Sequence, residues 1–117
     1  MNALDCSELH FLLDRDNAFI AFQEKDNSWA GALAFSSEER ARQLVALSHL
    51  DVAEIAAIAT DDHESVAALV SAMKRRLIRY VLLDLDYHTG VCRQVEFEAD
   101  GFGAVTERRF TAGHRHS

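Results

Sequence analysis

Two segments of the chain carry the hydrophobic spacing of an amphipathic helix. Ser36 and Glu39 have capping-box spacing at the start of the first segment, residues 36–50. Asp61 and Glu64 repeat that spacing at the start of the second, which ends with the basic run KRR. In both segments buried-type residues recur at i, i+3, i+4 and i+7, on one helical face. The positions predicted to be buried are Ala41, Leu44, Val45 and Ser48 in the first helix, and Val66, Leu69, Val70, Met73 and Leu77 in the second.

Strand-like patterns occupy much of the remaining chain. Residues 17–23 and 28–35 are apolar runs on either side of a polar turn, which predicts a β-hairpin. Residues 78–86 have an unbroken apolar middle, which is typical of a central strand buried on both faces. Residues 91–98 alternate between apolar and polar side chains, which predicts an antiparallel strand with one wet face. Residues 52–60 are rich in alanine and allow a helix, but their position between two helices favours a buried strand.

The remaining segments lie at the two ends of the chain. Asp5 and Glu8 have capping-box spacing and predict a short N-terminal helix, although the apolar residues that follow also fit a strand. Asp100 followed by glycine predicts a hairpin, and the run after it predicts a last strand before a flexible tail at residues 111–117. The predicted order is α-β-β-α-β-α-β-β-(β). It describes a single α/β (α+β) domain, residues 1–110, with helices packed on a mixed β-sheet.

Composition and charge restrict the classes of function. The chain has 117 residues, 49% of them hydrophobic and 26% charged, as expected for one soluble domain. Its net charge of −7 disfavours nucleic acid as a partner. No apolar run approaches the roughly 18 residues that span a bilayer, and the N-terminus lacks the basic region of a signal peptide. Cys6 and Cys92 form no CxxC pair, which favours two reduced thiols in a cytoplasmic protein.

A resemblance to a known family follows from the order of these elements and from one phrase. An apolar hairpin runs into "AFSSEERARQLV", and a second strand and helix then lead to "IRYVLLDLD". This arrangement resembles the SseB-type domain, named after the enhanced-serine-sensitivity protein, over residues 17–98. In that family a strand runs into a phrase such as F-[ST]-S-E-E, before a helix that contains alanine and leucine. The resemblance implies an α/β fold, and no catalytic residue is carried over from it.

The stretch "YVLLDLDYHTG", residues 80–90, offers a candidate for metal or phosphate chemistry. An apolar strand that ends in Asp-x-Asp is similar to the start of the active site in haloacid-dehalogenase phosphatases. Asp84 and Asp86 would share one face of the strand and could hold Mg²⁺, with His88 as a third candidate ligand. However, "YH" replaces the usual glycine, and the residues that follow include no lysine. We therefore favour acids that solvate the exit of a core strand, with metal binding and phosphatase chemistry as alternatives.

Other catalytic and cofactor motifs are absent from the sequence. No GxSxG, GxGxxG or Walker pattern occurs, and no two histidines have the HxxxH spacing of a helical zinc site. Cys92 follows His88 by four residues, so a Cys-His pair is conceivable, although a half-buried structural cysteine is favoured. We predict no cofactor and no catalytic residue. Trp29 begins a strand beside a polar turn, where it fits either the core or an interface with a partner.

These observations favour a small acidic cytoplasmic protein that binds another protein and has no catalytic machinery. Its acidic surface suits a basic partner surface, as in a regulator, an adaptor, an immunity-type inhibitor or a secretion-associated protein. Two alternatives stay open. One is a small metal-dependent hydrolase or metal-binding protein that uses Asp84 and Asp86. The other is a structural homodimer that covers the edges of its own sheet.

Overall fold

The computed structural model describes residues 6–23, 30–98 and 101–109. Within these ranges it shows one mixed β-sheet and two helices, and neither helix is long and apolar enough to cross a membrane. The predicted tail at residues 111–117 lies outside the described residues. The elements in chain order are β1 Glu8–Leu13, β2 Ala21–Gln23, β3 Ala30–Phe35, α1 Glu38–Ser48, β4 Glu54–Ala59, α2 His63–Arg75, β5 Ile78–Leu83, β6 Val91–Phe97 and β7 Phe102–Arg109.

The strands lie in the order β4-β1-β3-β5-β6-β7, and β2 pairs with β3 beyond the end of β1. β3 and β5 are parallel, while the other described neighbours are antiparallel. β1 and β2 follow one another along the same side of β3, since His10 pairs with Phe35 and Ala21 pairs with Ala32. The mixed sheet, the antiparallel pairing of β2 with β3, and the antiparallel β6 are therefore confirmed.

The two helices cover opposite faces of this sheet. Alternate residues of a strand point to opposite faces, so Leu33 shares a buried cluster with Leu44 of α1, while Ala34 shares one with Met73 of α2. β5 lies near the middle of the sheet, and its residues 80–83 are all buried. Burial on both faces explains the unbroken apolar run of β5, and the prediction of a central strand is confirmed.

The N-terminal segment is a strand, so the prediction of a helix there was wrong. Leu9 and Phe11 are fully buried in the cluster under α2, whereas Leu12 is fully buried in the cluster under α1. Because α2 covers one face of β1 and α1 covers the other, consecutive apolar residues fit a strand better than a one-sided helix. The alanine-rich segment before α2 is also a strand, β4, as predicted, but it is not buried as expected, because its residues are exposed or only partly buried.

Both predicted helices are confirmed, but in each the N-cap lies one residue after the predicted cap. Ser37 caps α1 by accepting a hydrogen bond from the Arg40 N–H, and Asp62 caps α2 by accepting one from the Ser65 N–H. The prediction that Leu77 is buried was wrong, because its side chain is 58% exposed. α2 ends before Leu77, and the chain turns there with a φ of 63° to enter β5.

β6 and β7 form the hairpin that was predicted near Asp100, although Asp100 itself lies outside the described residues. The Glu98 N–H donates to the Gly101 carbonyl at 2.8 Å across the turn. β6 alternates between the two faces of the sheet, with Val95 buried in the cluster under α2. The prediction of one wet face was wrong, because Cys92 on the other face is buried in the cluster under α1. The hairpin extends the sheet on the side away from β4.

Candidate functional site

A cleft opens where the carboxyl ends of β3 and β5 meet. These two strands are parallel neighbours, and the chain leaves them in opposite directions: from β3 through α1 to β4, and from β5 to β6. In open sheets with parallel strands, such a point of divergence leaves a crevice in which ligands bind. Here the cleft has a volume of about 160 Å³. Four residues of α1 line one side, namely Arg40, Gln43, Leu44 and Leu47, and the loop of residues 84–88 lines the other. We call it the α1–loop cleft.

Asp84 lies at the base of the α1–loop cleft and ties the two strand ends together. Its Oδ1 accepts a hydrogen bond from the Ser36 N–H at 2.8 Å, and its Oδ2 accepts one from the Ser36 hydroxyl at 2.9 Å. The Arg93 guanidinium on β6 donates to the same Oδ2 at 3.3 Å. Only 14% of the Asp84 side chain is exposed. The carboxylate therefore has protein donors on both oxygens and connects β3, β5 and β6.

The backbone at Asp84 has already left the strand. β5 ends at Leu83, and Asp84 has a φ of 56°, in the left-handed region that aspartate tolerates better than most residues. The expectation that Asp84 and Asp86 share one strand face was therefore wrong, because the alternation of side chains applies only within the extended strand.

The Asp86 carboxylate accepts hydrogen bonds from backbone groups of its own turn. Its Oδ1 accepts hydrogen bonds from the His88 N–H at 2.9 Å and from the Thr89 N–H at 3.3 Å. The Gly90 N–H donates to the Asp86 carbonyl at 2.8 Å, and Gly90 has a φ of 78°. This is the local side-chain bonding by which aspartate stabilises tight turns. The carboxylate is exposed, so it adds negative charge at the rim of the cleft.

The three metal-ligand candidates lie around one cleft, but their side chains do not form a metal-binding cluster. Asp84, Asp86 and His88 all contribute to its lining. Among the residues that the structure describes, no group of three or more His, Cys, Asp or Glu side chains is placed to hold a metal ion. Each of the two carboxylates instead accepts hydrogen bonds from nearby protein groups. Their arrangement stabilises the strand exit and the turn.

Cys92 is set in an apolar environment that opposes nucleophilic chemistry. It is 2% exposed in the cluster under α1, and burial raises the pKa of its thiol to about 11. A thiol with this pKa stays protonated at neutral pH, and the thiolate is the reactive form. Neither Cys92 nor Cys6 forms a disulfide, in agreement with the prediction of two reduced thiols. His88, the possible partner of Cys92 in the sequence, lies exposed in the loop.

Two exposed apolar side chains flank the α1–loop cleft. Leu47 on α1 is 40% exposed, and Tyr87 in the loop is 51% exposed. The Tyr87 ring contacts the His88 ring edge-on, with centroids 5.9 Å apart. In the described part of the chain, Leu77 is the third large apolar residue with comparable exposure, and it does not line this cleft. Two of the three exposed positions therefore coincide with one concave surface.

Sequence reasoning missed Leu47 and Tyr87. Leu47 falls outside the predicted apolar stripe of its helix, and this mismatch was a usable signal. Tyr87 stands in a turn, where an aromatic residue has no neighbouring strand to cover it. Trp29, which was the predicted partner-binding candidate, lies outside the described residues.

Comparison with protein-family models, with curated proteins and with solved structures finds no match to this chain. The resemblance to the SseB-type domain therefore stays a prediction based on "AFSSEERARQLV" and the order of elements around it. What can be inferred about function rests on the geometry of the α1–loop cleft and on the exposed surfaces of the sheet.

Proposed function

We propose that this chain is a non-catalytic protein-binding module of the cytoplasm and that the α1–loop cleft is its binding surface. The observation that carries the proposal is the pair of exposed side chains, Leu47 and Tyr87, on the two walls of one cleft. Burial of a few such anchors supplies most of the free energy of protein association. Tyrosine is also enriched at interfaces because its ring is apolar and its hydroxyl can stay hydrated.

The size of the cleft favours a side chain of a protein over a cofactor. Sites for small molecules and cofactors usually enclose about 300–1,000 Å³, whereas this cleft has about 160 Å³. That volume suits a single apolar side chain that projects from an extended segment. Gln43 and Arg40 line the helix side and offer donors to the carbonyl groups of such a segment.

Charge indicates which segment would fit. Asp86 places an exposed carboxylate at the rim of the cleft, and the whole chain carries a net charge of −7. A segment with a lysine or arginine next to its apolar anchor would be attracted to this surface and oriented on it. We therefore assign the cleft to a peptide segment of a partner protein that combines one apolar anchor with a neighbouring basic residue.

The alternative of a metal-dependent hydrolase on Asp84 and Asp86 has less support. Such a reaction needs a carboxylate oxygen that is available to an ion or to phosphorus. Ser36 and Arg93 occupy the oxygens of Asp84, and Oδ1 of Asp86 faces its own turn. These bonds support the binding-module interpretation.

Selection from a random peptide library against the full chain tests the proposal. We expect the selected peptides to share an aromatic or branched apolar residue beside a lysine or arginine. In NMR titrations with such a peptide, the amide signals of Leu47, Tyr87 and His88 should shift most. Tyr87→Ala should cost about 2 kcal/mol of binding free energy, roughly thirtyfold in Kd.

The chain offers a matched control for this experiment. Leu77 is more exposed than Leu47, at 58% against 40%, but lies away from the cleft. Leu47→Ala should therefore weaken peptide binding about tenfold, whereas Leu77→Ala should leave it unchanged. Signals that shift elsewhere, or equal losses for the two leucine variants, would overturn the assignment of the cleft.

A further inference from the structure

β4 forms one edge of the described sheet, and one side of its backbone has no strand beside it. Within the described residues, β4 pairs with β1 alone. The Thr60 N–H donates to the Ser7 carbonyl at 3.0 Å. In a regular antiparallel ladder, alternate residues bond to the partner strand. Ile55, Ala57 and Ala59 therefore direct their N–H and C=O groups away from β1, toward the open side.

The opposite edge of the sheet carries devices that β4 lacks. β7 has Glu107, Arg108 and Arg109 near its end, and its pairing with β6 is interrupted by a register shift. Charged side chains and bulges are common ways of preventing edge-to-edge association. β4 has the sequence EIAAIA, in which Glu54 at the start is the one charged residue. Its ladder with β1 continues without a register shift from residue 54 to residue 59.

A partly apolar groove runs beside the same edge. It lies between α1 and the first part of β4 and has a volume of about 490 Å³. Its lining combines five apolar residues with three charged ones: Val45, Ala46, Val52, Ala53 and Ile55, and Glu38, Arg42 and Glu54. Ala57, in the middle of β4, is exposed. Among the described residues, the backbone groups of β4 without a partner strand and this partly apolar groove lie together at one edge of the sheet.

We propose that two copies of this chain associate by antiparallel pairing of β4 with β4, about a two-fold axis at Ala57. Residues that lie opposite each other in antiparallel strands point their side chains to the same face of the sheet, whereas adjacent residues of one strand point to opposite faces. A two-fold axis perpendicular to the sheet must therefore pair one residue of β4 with the same residue of the second copy. With Ala57 at the centre, Ile55 lies opposite Ala59 of the second copy. Ile55, Ala57 and Ala59 of each copy direct their backbone N–H and C=O groups toward the other copy. They form three opposed pairs that exchange two bonds each, so the association adds about six backbone hydrogen bonds.

Self-complementarity of β4 is the reason for assigning a second copy to this edge. A chain of net charge −7 can pair with itself only where its acidic residues are kept apart. Centring on Ala57 places Glu54 opposite Thr60, so no carboxylate faces another. Centring on Ala56 would place Glu54 opposite Ile58, which would set a carboxylate against an apolar side chain. The Ala57 register also sets the larger Ile55 against a small alanine.

Size-exclusion chromatography with light scattering of the full chain tests this inference. The wild-type protein should have twice the 13.1 kDa chain mass. Ala57→Lys should shift the dimer to the monomer, with at least a tenfold increase in the dissociation constant, because two ammonium groups would face each other at the axis. Ala104→Lys is the matched control: Ala104 is also an exposed alanine, on the other edge strand, β7, and its variant should stay dimeric.

A second variant keeps the test valid if Ala57→Lys does not fold, which circular dichroism will show. In a Cys6→Ser background, Ala57→Cys should form an intermolecular disulfide on oxidation, because the two sulfur-bearing carbons would face each other across the axis. Ala104→Cys in the same background should not. A monomeric wild-type protein, or equal cross-linking of the two cysteine variants, would refute the proposed interface. Neither result bears on the α1–loop cleft.

Discussion

Replacement of Asp84 decides between a structural carboxylate and a functional one. We expect Asp84→Ala to lower the free energy of unfolding by about 4 kcal/mol. The two hydrogen bonds from Ser36, at 2.8 and 2.9 Å, go to a charged acceptor that is 14% exposed, and each contributes about 1.5 kcal/mol. The pair with Arg93 is longer, at 3.3 Å, and Arg93 is 34% exposed, so it adds about 0.5 to 1 kcal/mol.

Two further variants separate the components of this loss. Asp84→Gly removes the same bonds but suits the φ of 56°, so it should be about 1 kcal/mol more stable than Asp84→Ala. Asp84→Asn tolerates this φ and keeps an acceptor for the Ser36 N–H, but it loses the negative charge. We expect it to lose about 2 kcal/mol, mainly from the contacts with the Ser36 hydroxyl and Arg93.

Urea unfolding followed by circular dichroism measures these differences, and Asp86→Asn serves as the control. An asparagine oxygen can still accept the His88 and Thr89 N–H groups, so this exposed position should change by less than about 0.5 kcal/mol. A neutral or stabilising Asp84→Asn would contradict a structural role for the carboxylate. That result would mean that the carboxylate is retained at a cost to stability, as functional groups often are. Mg²⁺ should leave the wild-type melting temperature unchanged, since an ion that binds the folded state would raise it.

Three other predictions concern the core, the buried thiol and the cap of α2. A Cβ added at Gly31 would lie 2.5 Å from Cε1 of Tyr80, so Gly31→Ala should destabilise the protein by about 3 kcal/mol in urea unfolding; Gly101→Ala, with open space around it, should be neutral. Above about pH 8.5 the Cys92 thiol ionises in the unfolded chain but stays protonated in the fold up to about 11. Stability should therefore fall across this range by about 2 kcal/mol more in the wild type than in Cys92→Ala. The pKa of Asp62 is lowered mainly by the hydrogen bond from the Ser65 side chain and then by the one from the Ser65 backbone N–H. The stabilising effect of the Asp62 carboxylate is therefore present above the ordinary carboxyl pKa and is lost in acid. Asp62→Asn should accordingly show a flatter dependence of α2 amide exchange on acidic pH.

The helices and the central strand could be predicted from the sequence because their patterns are local. The 3.6-residue stripe of α2 and the unbroken apolar run of β5 each reflect a regular geometry that is set within a few residues. The first cap could not be predicted in the same way. Ser36 fits a capping box, but its hydroxyl binds Asp84, which is 48 residues away in the sequence. Ser37 caps the helix in its place, and such a distant contact leaves no trace in local spacing.

The N-terminal strand was not predicted for a similar reason. Its run LHFLL suits a helix with one apolar face or a strand with two, and only the neighbours β3 and β4 decide between them. The same holds for the candidate site. The sequence located the loop at Asp84 and Asp86, yet its interpretation depends on the φ of Asp84, which ends the alternation assumed for a strand. The exposure of Leu47 and Tyr87 is likewise a property of the packed structure.

The two proposed surfaces lie on opposite sides of α1, and this arrangement has a consequence for binding. Leu47 faces the α1–loop cleft, while Val45 and Ala46 face the groove beside β4. β3, β4 and β5 all run in the same direction, so the cleft lies at their shared carboxyl end. Antiparallel pairing of two β4 strands would reverse one copy and place the two clefts at opposite ends of the joined sheet.

A short peptide would then bind each cleft independently, with equal affinity for the monomer and the dimer. A surface that displays many copies of the peptide would hold the dimer more tightly through avidity. Ala57→Lys should therefore weaken binding to such a surface and leave the affinity for the soluble peptide unchanged, a difference that separates loss of pairing from damage to the cleft.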